Sequence, residues 1–539
     1  MPNTPVVPQQ PRTPAPTSVL ASQHGLIGLV GTTIMAIGAL GVGYLPQRAA
    51  LSSWPIIELL RTTTAGAILS KVAVAVGAIL LLRAWLLIGG DVRSGRITST
   101  KRLNKMFVAW AAPLVLVPPL FSQDVYSYVA QGNLLHLGLD PYTMAPSAIP
   151  GPFLEAVSPW WLDTPAPYGP LFLLIAKIVV TITGNNIYLA SLLLRASALV
   201  GVWLIAKYLP VVAQRCGVNA VTAVWVGLLN PLVFMHFVSG SHNDALMVGL
   251  LLAGLAFALD NKPYIGIILI ALGGCIKIPA LVGLGFVGLI WAGKDSALAV
   301  RMKCWLIAVA ITVGVFLAVN VLAGVNFGWI HALGTPGQVR SWISPVTSSG
   351  VALGWIINAA GFGQHTDSIL VVFRALATLA VLAYATKLLI KPDSKTAIRA
   401  AGLVLLFLAV FGPVIQPWYL LWGLVILAAA GFTRKELPYV VAATAGLVIH
   451  GLTQSSATSA DVLQVSDPVS AILAISAAIL GIMSSRSTRT ELLEGKDRWA
   501  KAHHFPAIPH QSSPTHHSEV VVEPLSDQVT GKIAPRERT

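Results

Sequence analysis

The segment FSQDVYSYVAQGNLLHLGLDPY, residues 121–142, begins a polar loop in a chain that is otherwise strongly apolar. The loop ends with WWLDTPAPYGP at residues 160–170, and hydrophobic runs flank it on both sides. Residues 121–169 contain four acidic side chains and neither Lys nor Arg. A loop of this length without cations is expected on the side of a membrane opposite the cytoplasm. The segment therefore predicts a membrane protein and sets the orientation of the chain.

The composition of the whole chain supports this interpretation. Of its 539 residues, 55% are hydrophobic and only 10% are charged, and the mean hydropathy is +0.75, whereas soluble domains carry about 25% charged residues. The net charge of +14 comes from Lys and Arg in short loops and tails, where the positive-inside rule places them. We therefore exclude nucleic-acid binding. The three cysteines have no spacing typical of a metal site or a disulfide framework.

Apolar runs long enough to span a bilayer recur along the chain, and they predict an all-α polytopic membrane protein with about 14 transmembrane helices. The candidate spans are 25–45, 66–90, 105–121, 187–207, 218–238, 243–260, 262–276, 277–293, 304–324, 368–391, 400–415, 417–432, 437–453 and 468–485.

Basic residues decide which ends of these spans face the cytoplasm. The basic clusters fall on one side only if two further apolar stretches, 170–184 and 348–364, do not cross, so we predict interfacial or re-entrant helices there. Residues 122–186 and 325–367 then form two large outer loops, and both termini are cytoplasmic. The predicted divisions are a disordered tail 1–24, a transmembrane catalytic domain 25–485 and a disordered tail 486–539.

Asp124, in the motif SQDVYSY, follows the third predicted span at the outer membrane surface. A carboxylate at this boundary is suited to accept a proton from a hydroxyl acceptor. Tyr126 and Tyr128 lie beside it in sequence and are candidate contacts for a sugar or acceptor. The structural alternative is that Ser122 and Asp124 cap the following helix, with the tyrosines in the aromatic belt of the interface.

A second polar motif, GSHNDALM at residues 240–247, is predicted on the same face. His242, Asn243 and Asp244 offer donors and acceptors of the kind that bind sugar hydroxyls. Alternatively, Asp244 caps the helix that follows. Metal binding by Asp124 with Asp244 or His242 has no supporting spacing. We therefore predict no metal site and no cofactor.

Three cations need an explanation. Lys277, in GCIKIPAL, is buried between two predicted spans and is a candidate for phosphate binding; snorkelling to the interface is its alternative. Arg340, in the second outer loop, is suited to binding a phosphate or to an ion pair with a loop acid. Arg195 lies inside a predicted span, where an arginine has either a function or a structural partner.

The motif FGPVIQPWYLLW, residues 411–422, places Gln416, Trp418 and Tyr419 near the outer interface, where prolines break the helices. With Tyr142 of GLDPY and Tyr168 of PYGP, they are candidates for contacts with a sugar or acceptor. An ordinary aromatic belt is the alternative. Together the clusters favour group transfer from a lipid-phosphate donor to a hydroxyl acceptor.

The motifs QDVYSYVAQG, GLDPY, PYGPL, SHNDALM, IKIPAL and QPWYLLW occur in this order within residues 25–485. In them the chain resembles the actinobacterial polyprenol-phosphate-mannose-dependent α-(1→6)-mannosyltransferases of the C-type integral-membrane glycosyltransferase superfamily. The resemblance implies the C-type fold, with Asp124 as the catalytic base. It implies that Lys277 and Arg340 hold the donor phosphate. It also implies that His242 and Asp244 shape the sugar site.

The same resemblance implies a reaction. Mannose passes from polyprenyl-phosphate-mannose to a lipid-linked mannan or phosphatidylinositol-mannoside-type acceptor, by inversion, and extends the α-(1→6) backbone of lipomannan and lipoarabinomannan. The site is expected on the extracytoplasmic face of the plasma membrane. Three alternatives stay open: a related polyprenyl-phosphate-sugar-dependent transferase, such as an arabinofuranosyltransferase; a flippase or transporter of lipid-linked sugars; and a non-catalytic subunit of a cell-wall assembly.

Overall fold

The computed structural model describes residues 22–293, 295–332, 334–335, 341, 343–390, 397–433, 435–453 and 476. Regular secondary structure in these residues is helical throughout, which confirms the predicted all-α class. The α-helices are α1 Gln23–Val42, α2 Pro55–Thr62, α3 Thr64–Arg93, α4 Thr100–Ala111, α5 Asp124–His136, α6 Pro159–Leu162, α7 Pro170–Thr183, α8 Ile187–Arg215, α9 Ala220–Gly227, α10 Asp244–Leu259, α11 Pro263–Gly274, α12 Val282–Ala292, α13 Leu298–Ala323, α14 Trp329–Ala332, α15 Pro345–Ala359, α16 Thr366–Ile390, α17 Ala397–Phe411, α18 Leu420–Ala430 and α19 Leu437–Thr453.

Five of the described helices are long and apolar enough to cross a membrane, namely α1, α3, α8, α13 and α16. A sixth candidate is a bent pair, formed by the π-helix Val233–Ser239 and α10, whose axes differ by 107°. Six shorter apolar segments lie among the other helices. The chain is therefore a multi-pass membrane protein, although the predicted number of spans is not confirmed. The last predicted span, 468–485, lies outside the described residues except for position 476.

Two of the predicted spans are interrupted. Within 105–121, α4 ends at Ala111, and the proline-containing sequence APLVLVPPL continues as a short 3₁₀ turn and then without regular structure. Within 218–238, α9 ends at Gly227, and the π-helix begins only after a break at Asn230 and Pro231. Prolines interrupt helices because they lack an N–H and clash with the preceding turn. The first interruption leads to the motif that contains Asp124, and the second leads, through the π-helix, to the motif that contains His242.

The two stretches predicted not to cross correspond to α7 and α15. These helices have 14 and 15 residues, so they are about 21–23 Å long at 1.5 Å per residue. The hydrocarbon core of a bilayer is about 30 Å thick. Their length agrees with an interfacial or re-entrant placement, which stays a prediction.

Glycines allow the backbones of α8 and α10 to touch. A Cβ atom on Gly201 of α8 would lie 2.2 Å from the carbonyl oxygen of Ala245, and one on Gly249 of α10 would lie 2.5 Å from the carbonyl oxygen of Gly201. Small residues at such crossings are typical of helix packing in membranes. The contact holds the first turn of α10, where the SHND motif ends, against the middle of α8.

Arg195 projects from α8 beside this contact and is almost fully buried. Its Nη1 donates to the carbonyls of Leu114, Val115 and Val117 at 3.1, 2.5 and 2.8 Å. Its Nη2 donates to the Ser239 carbonyl at 3.1 Å and its Nε to a serine hydroxyl, Ser241 Oγ, at 2.9 Å.

The sequence left open whether Arg195 has a function or a structural role, and these hydrogen bonds favour the structural role. One guanidinium satisfies carbonyls on both of the interrupted segments, the one that leads to Asp124 and the one that leads to His242. Backbone groups that leave a helix in an apolar environment need such partners.

We expect Arg195→Gln to destabilise the protein by at least about 3 kcal/mol, since it leaves several buried carbonyls without a donor. Thermal unfolding in detergent measures this. Arg48→Gln is the matched control, because Arg48 makes an exposed ion pair with Glu155 and such pairs contribute about 0–1 kcal/mol. Equal unfolding temperatures for the two variants would contradict the structural role of Arg195.

Candidate active site

Asp124 is the first residue of α5, directly after the irregular segment that Arg195 holds. Its backbone N–H donates to Ser122 Oγ at 3.1 Å. The indole Nε1 of Trp161 donates to Asp124 Oδ1 at 2.9 Å. Its side chain is 15% exposed, so one side of the carboxylate is open to an incoming group. Of the predicted capping pair, Ser122 accepts from the first N–H of α5, whereas the Asp124 carboxylate caps no backbone group among the described residues and is partly accessible.

Phe121, shortly before Asp124, and Ser241, directly before His242, have left-handed backbone conformations. Their φ angles are 66° and 58°. Such angles are unfavourable for residues other than glycine, especially for a bulky side chain. They persist where surrounding structure enforces them, often beside functional sites. Here each turn directs the next few residues, toward Asp124 in one case and toward His242 in the other.

His242 lies against the carboxylate of Asp124. Its Nδ1 is 3.5 Å from Asp124 Oδ2. The imidazole is fully buried and stacks on the indole of Trp418, with ring centroids 3.6 Å apart and an interplanar angle of 21°. Neither ring nitrogen has a hydrogen-bond partner among the described residues. The motifs SHND, residues 241–244, and QPWY, residues 416–419, were predicted on one face, and they meet where His242 stacks on Trp418 beside Asp124.

The pKa of Asp124 is raised to about 6, primarily because burial disfavours the charged carboxylate. The hydrogen bond from Trp161 and the positive charge of Lys277 oppose this increase, while the negative charge of Asp244 adds to it. A carboxylate with such a pKa is mostly ionised near pH 7 but binds a proton more readily than an exposed aspartate. This matches the requirements of a general base.

Lys277 and Asp244 form an ion pair beside Asp124. Lys277 Nζ lies 2.9 and 3.0 Å from the two carboxylate oxygens of Asp244, and Trp422 Nε1 donates to Asp244 Oδ1 at 2.6 Å. Asp244 is fully buried, whereas the Lys277 side chain is 16% exposed. A lysine paired in this way does not need to snorkel to the interface.

Three aromatic rings surround the ammonium group of Lys277. It lies 4.8 Å from the ring centroid of Tyr419, 5.4 Å from that of Trp422 and 6.0 Å from that of Tyr168. The rings of Tyr419 and Trp422 stack at 4.1 Å. Cation–π attraction and the carboxylate together hold the charge in place. The predicted contact of Lys277 with a donor phosphate stays a prediction.

The candidate tyrosines of the first outer loop divide into two groups. Tyr128 and Tyr168 are buried edge to face, with centroids 5.0 Å apart, in the aromatic wall next to Lys277. Tyr126 instead donates its hydroxyl to the carbonyl of Tyr44 at 2.7 Å. Tyr142 donates its hydroxyl to the carbonyl of Tyr168 at 3.0 Å. The hydroxyls of Tyr126 and Tyr142 thus stabilise the backbone. Contact of these tyrosines with a sugar or an acceptor stays a prediction.

The remaining candidates differ in what the structure shows. Asn243 is buried, and neither the oxygen nor the nitrogen of its side-chain amide has a hydrogen-bond partner among the described atoms. Gln416 is half-buried, and its carbonyl accepts from the Tyr419 N–H at 2.9 Å. Arg340 lies outside the described residues. The next described residue, Ser341, donates its hydroxyl to the Ile415 carbonyl at 3.4 Å.

Two tryptophans at the site were not among the predicted residues. Trp161 donates to Asp124, and Trp422 donates to Asp244. Both occur within motifs that the sequence makes conspicuous, WWLD and QPWYLLW. A tryptophan near a membrane surface normally indicates the interfacial belt, so its indole N–H gave no separate signal. Among the described residues, no group of three or more His, Cys, Asp and Glu side chains is placed to hold a metal ion.

A partly exposed carboxylate with an imidazole beside it, an adjacent ion pair and aromatic walls is an arrangement suited to group transfer in an integral-membrane enzyme. Comparisons with known proteins identify the family. A family model described as the alpha-(1->6)-mannopyranosyltransferase N-terminal domain matches residues 25–293, and one described as the MptB C-terminal domain matches residues 346–483. The chain therefore belongs to the alpha-(1->6)-mannopyranosyltransferase family and is a glycosyltransferase.

Individual relatives agree with this assignment. A probable alpha-(1->6)-mannopyranosyltransferase of Mycolicibacterium smegmatis is 37% identical over 75% of this chain and 78% of its own. Alpha-(1->6)-mannopyranosyltransferase A of Mycobacterium tuberculosis is 34% identical over 78% and 82%. Alpha-(1->6)-mannopyranosyltransferase B of Corynebacterium glutamicum is 33% identical over 75% and 72%. No solved structure matches the chain.

We expect Lys277→Met to destabilise the protein by about 3–5 kcal/mol, because it leaves the buried carboxylate of Asp244 without its counter-charge. Lys277→Met combined with Asp244→Asn should recover part of this loss, since the asparagine oxygen can still accept from Trp422. Unfolding temperatures of the single and double variants measure the coupling.

Arg215→Met is the control for removal of a cation, because Arg215 and its partner Asp260 are both substantially exposed. It should change stability by at most about 1 kcal/mol. A double variant that is no more stable than Lys277→Met would show that the ion pair does not hold the site together.

Proposed function

We propose that the protein transfers mannose from polyprenyl-phosphate-mannose to a lipid-linked mannoside, such as a phosphatidylinositol-mannoside-type acceptor. The product is an α-(1→6) linkage of the lipomannan or lipoarabinomannan backbone. The observation that supports this most directly is the carboxylate of Asp124, open on one side and next to His242. The linkage is supported by the relatives, each of which is called an alpha-(1->6)-mannopyranosyltransferase.

In the proposed reaction, Asp124 Oδ2 accepts the proton of the acceptor's 6-hydroxyl. The freed oxygen forms a bond to the anomeric carbon of the donor mannose. The bond from that carbon to the phosphate oxygen breaks, and its electrons stay on the departing polyprenyl phosphate. A β-linked donor and an α-linked product require inversion, so one displacement with a single base is enough.

The surroundings of Asp124 suit this step. Its Oδ1 is occupied by Trp161, so the proton is received on Oδ2. Lys277 adds positive charge near the place where the phosphate leaves, although much of that charge is balanced by Asp244. We propose that Arg340 of the second outer loop supplies the remaining positive charge. Preorganised charges of this kind stabilise a departing anion without reorganisation.

The proposed setting is the plasma membrane, with the site on its extracytoplasmic face and both termini in the cytoplasm. The absence of Lys and Arg from residues 121–169 supports this orientation. The catalytic domain is proposed to cover 25–485, with tails at 1–24 and 486–539. A lipid-linked donor in the outer leaflet would then reach Asp124 directly from the bilayer.

Asp124→Asn should lower the transfer rate by about 10²–10⁴-fold, because an amide cannot accept the proton. It should fold normally, since the asparagine oxygen can still accept from Trp161. The assay uses labelled polyprenyl-phosphate-mannose and a short α-(1→6)-mannoside, with and without a chelator. Asp163→Asn is the matched control, a carboxylate of the same loop whose partner is the exposed Ser147.

An Asp124→Asn enzyme that works at the normal rate would remove Asp124 from this role. Transfer from a polyprenyl-phosphate arabinofuranose in place of mannose would indicate the related sugar transferase. Movement of lipid-linked sugar across proteoliposome membranes without any glycosidic product would indicate a flippase.

The rate should fall at acidic pH because the base works only when ionised. With a pKa of Asp124 of about 6 in the substrate-free protein, kcat/KM should decrease about tenfold per pH unit below that value. Trp161→Phe removes a hydrogen bond that favours the charged carboxylate, so the pKa rises and the midpoint should move to higher pH by about one unit. The pH–rate profile measures this, and Trp160→Phe, at an exposed neighbouring position, is the control.

A further inference from the structure

His242 is placed to act on the catalytic carboxylate itself. Its ring is fully buried and pressed flat against Trp418, with a centroid separation of 3.6 Å. This stacking fixes the plane of the imidazole. Nδ1 lies 3.5 Å from Asp124 Oδ2, so a small movement of the ring or of the carboxylate would bring the two atoms within hydrogen-bond distance.

The hydrogen-bonding capacity of His242 is otherwise unused. Neither Nδ1 nor Nε2 has a partner among the described residues. Burial favours the neutral imidazole, which carries one N–H donor and one acceptor nitrogen. Leaving a buried donor without a partner costs more free energy than forming a hydrogen bond contributes. Asp124 Oδ2 can accept a hydrogen bond, and its distance from His242 Nδ1 exceeds the normal hydrogen-bond distance by a few tenths of an ångström.

The two oxygens of Asp124 have different neighbours. Oδ1 accepts from Trp161, so that side of the carboxylate is fixed. Oδ2 faces His242 and is the oxygen available to a substrate. Besides Trp161, the Ser122 hydroxyl also favours the charged carboxylate, but no hydrogen bond to Oδ2 is formed among the described residues. Hydrogen bonds at catalytic sites often tighten when substrate binds and excludes water.

We propose that His242 is a positioning residue for Asp124, with its Nδ1–H donating to Oδ2 and holding the carboxylate in the orientation that receives the acceptor's proton. This inference rests on the proposed function, because it takes Asp124 as the base. It gives His242 a different role from the sugar contact expected from the sequence. The other charged or titratable groups of the described residues whose fields reach Asp124 are Lys277, Asp244, Tyr44, Tyr128, Tyr168 and Tyr419.

A second histidine provides a matched control. His236 is also buried, also contacts Trp418, at a centroid distance of 5.3 Å, and also has no hydrogen-bond partner on its ring nitrogens in the described residues. Its other ring contacts are Phe121 and His242. His236 thus shares the burial and stacking of His242 but has no described contact with Asp124.

The experiment compares His242→Phe, His242→Gln and His236→Phe in the full-length protein in lipid nanodiscs. His242→Phe keeps a ring on Trp418 and removes both nitrogens. We expect it to lower kcat at least about tenfold and to move the midpoint of the pH–rate profile upward by about one unit, with little change in the KM for the acceptor. His242→Gln, which retains a donor, should restore part of both effects. His236→Phe should leave the midpoint unchanged.

A second measurement does not need activity. Infrared difference spectra of protein labelled with ¹³C-aspartate, with Asp124→Asn as the blank, follow the ionisation of Asp124 directly. His242→Phe should shift that titration upward. If it does not, the inference is overturned, even where Asp124→Asn is inactive. If Asp124→Asn retains the normal rate, the proposed function fails, while the titration still shows whether His242 contacts Asp124. Should His242→Phe not fold, His242→Leu, which also removes both nitrogens, gives the same readout.

A raised KM for the acceptor with an unchanged kcat and an unchanged pH midpoint would assign His242 to sugar binding alone. That result would also overturn the inference.

Discussion

The buried guanidinium of Arg195 is the interaction on which the rest of the site depends. Two helical segments stop within the apolar part of the protein, one before Asp124 and one before His242. Each leaves carbonyls without a helical partner, and in an apolar environment such groups must be satisfied internally. Arg195 donates to three carbonyls of the first segment and to one carbonyl of the second. The planar fork of donors suits an arginine and no other side chain.

A second constraint is the close contact between the end of the first outer loop and the Lys277 turn. The Gly169 N–H donates to the Ile276 carbonyl at 3.0 Å, and the Leu171 N–H to that of Cys275 at the same distance. A Cβ atom on Gly169 would lie 2.3 Å from the Cys275 oxygen, so only glycine permits this approach. The contact carries Tyr168 to the ammonium group of Lys277. Arg195 and Gly169 thus fix different parts of the site.

The sequence predicted much of this arrangement. The long apolar runs gave α1, α3, α8, α13 and α16, because composition and length alone decide such helices. The meeting of Asp124, His242, Asp244 and Lys277 followed from charge patterning and from the family resemblance. The π-helix and the interrupted spans did not follow, because an apolar run looks the same whether its helix is continuous or broken. The prolines near α4 were the available signal.

The roles of individual aromatic residues were the least predictable part. Tyr126 and Tyr142 use their hydroxyls on backbone carbonyls, whereas Trp161 and Trp422 donate to carboxylates. Sequence distinguishes none of these cases, since all four are aromatics near a membrane surface. Only the partner decides, and partners depend on contacts between segments far apart in the chain.

The two carboxylates of the site illustrate how environment divides function between identical groups. Asp244 has a cation on both oxygens and an indole on one, and it is fully enclosed. These donors occupy both of its oxygens, so it is suited to anchoring Lys277. Asp124 has one firm donor, a histidine slightly too far for a hydrogen bond and an open side. Its proton affinity is therefore adjustable by the neighbouring groups. That difference, rather than position at a helix start, which the two aspartates share, makes Asp124 and not Asp244 the candidate base.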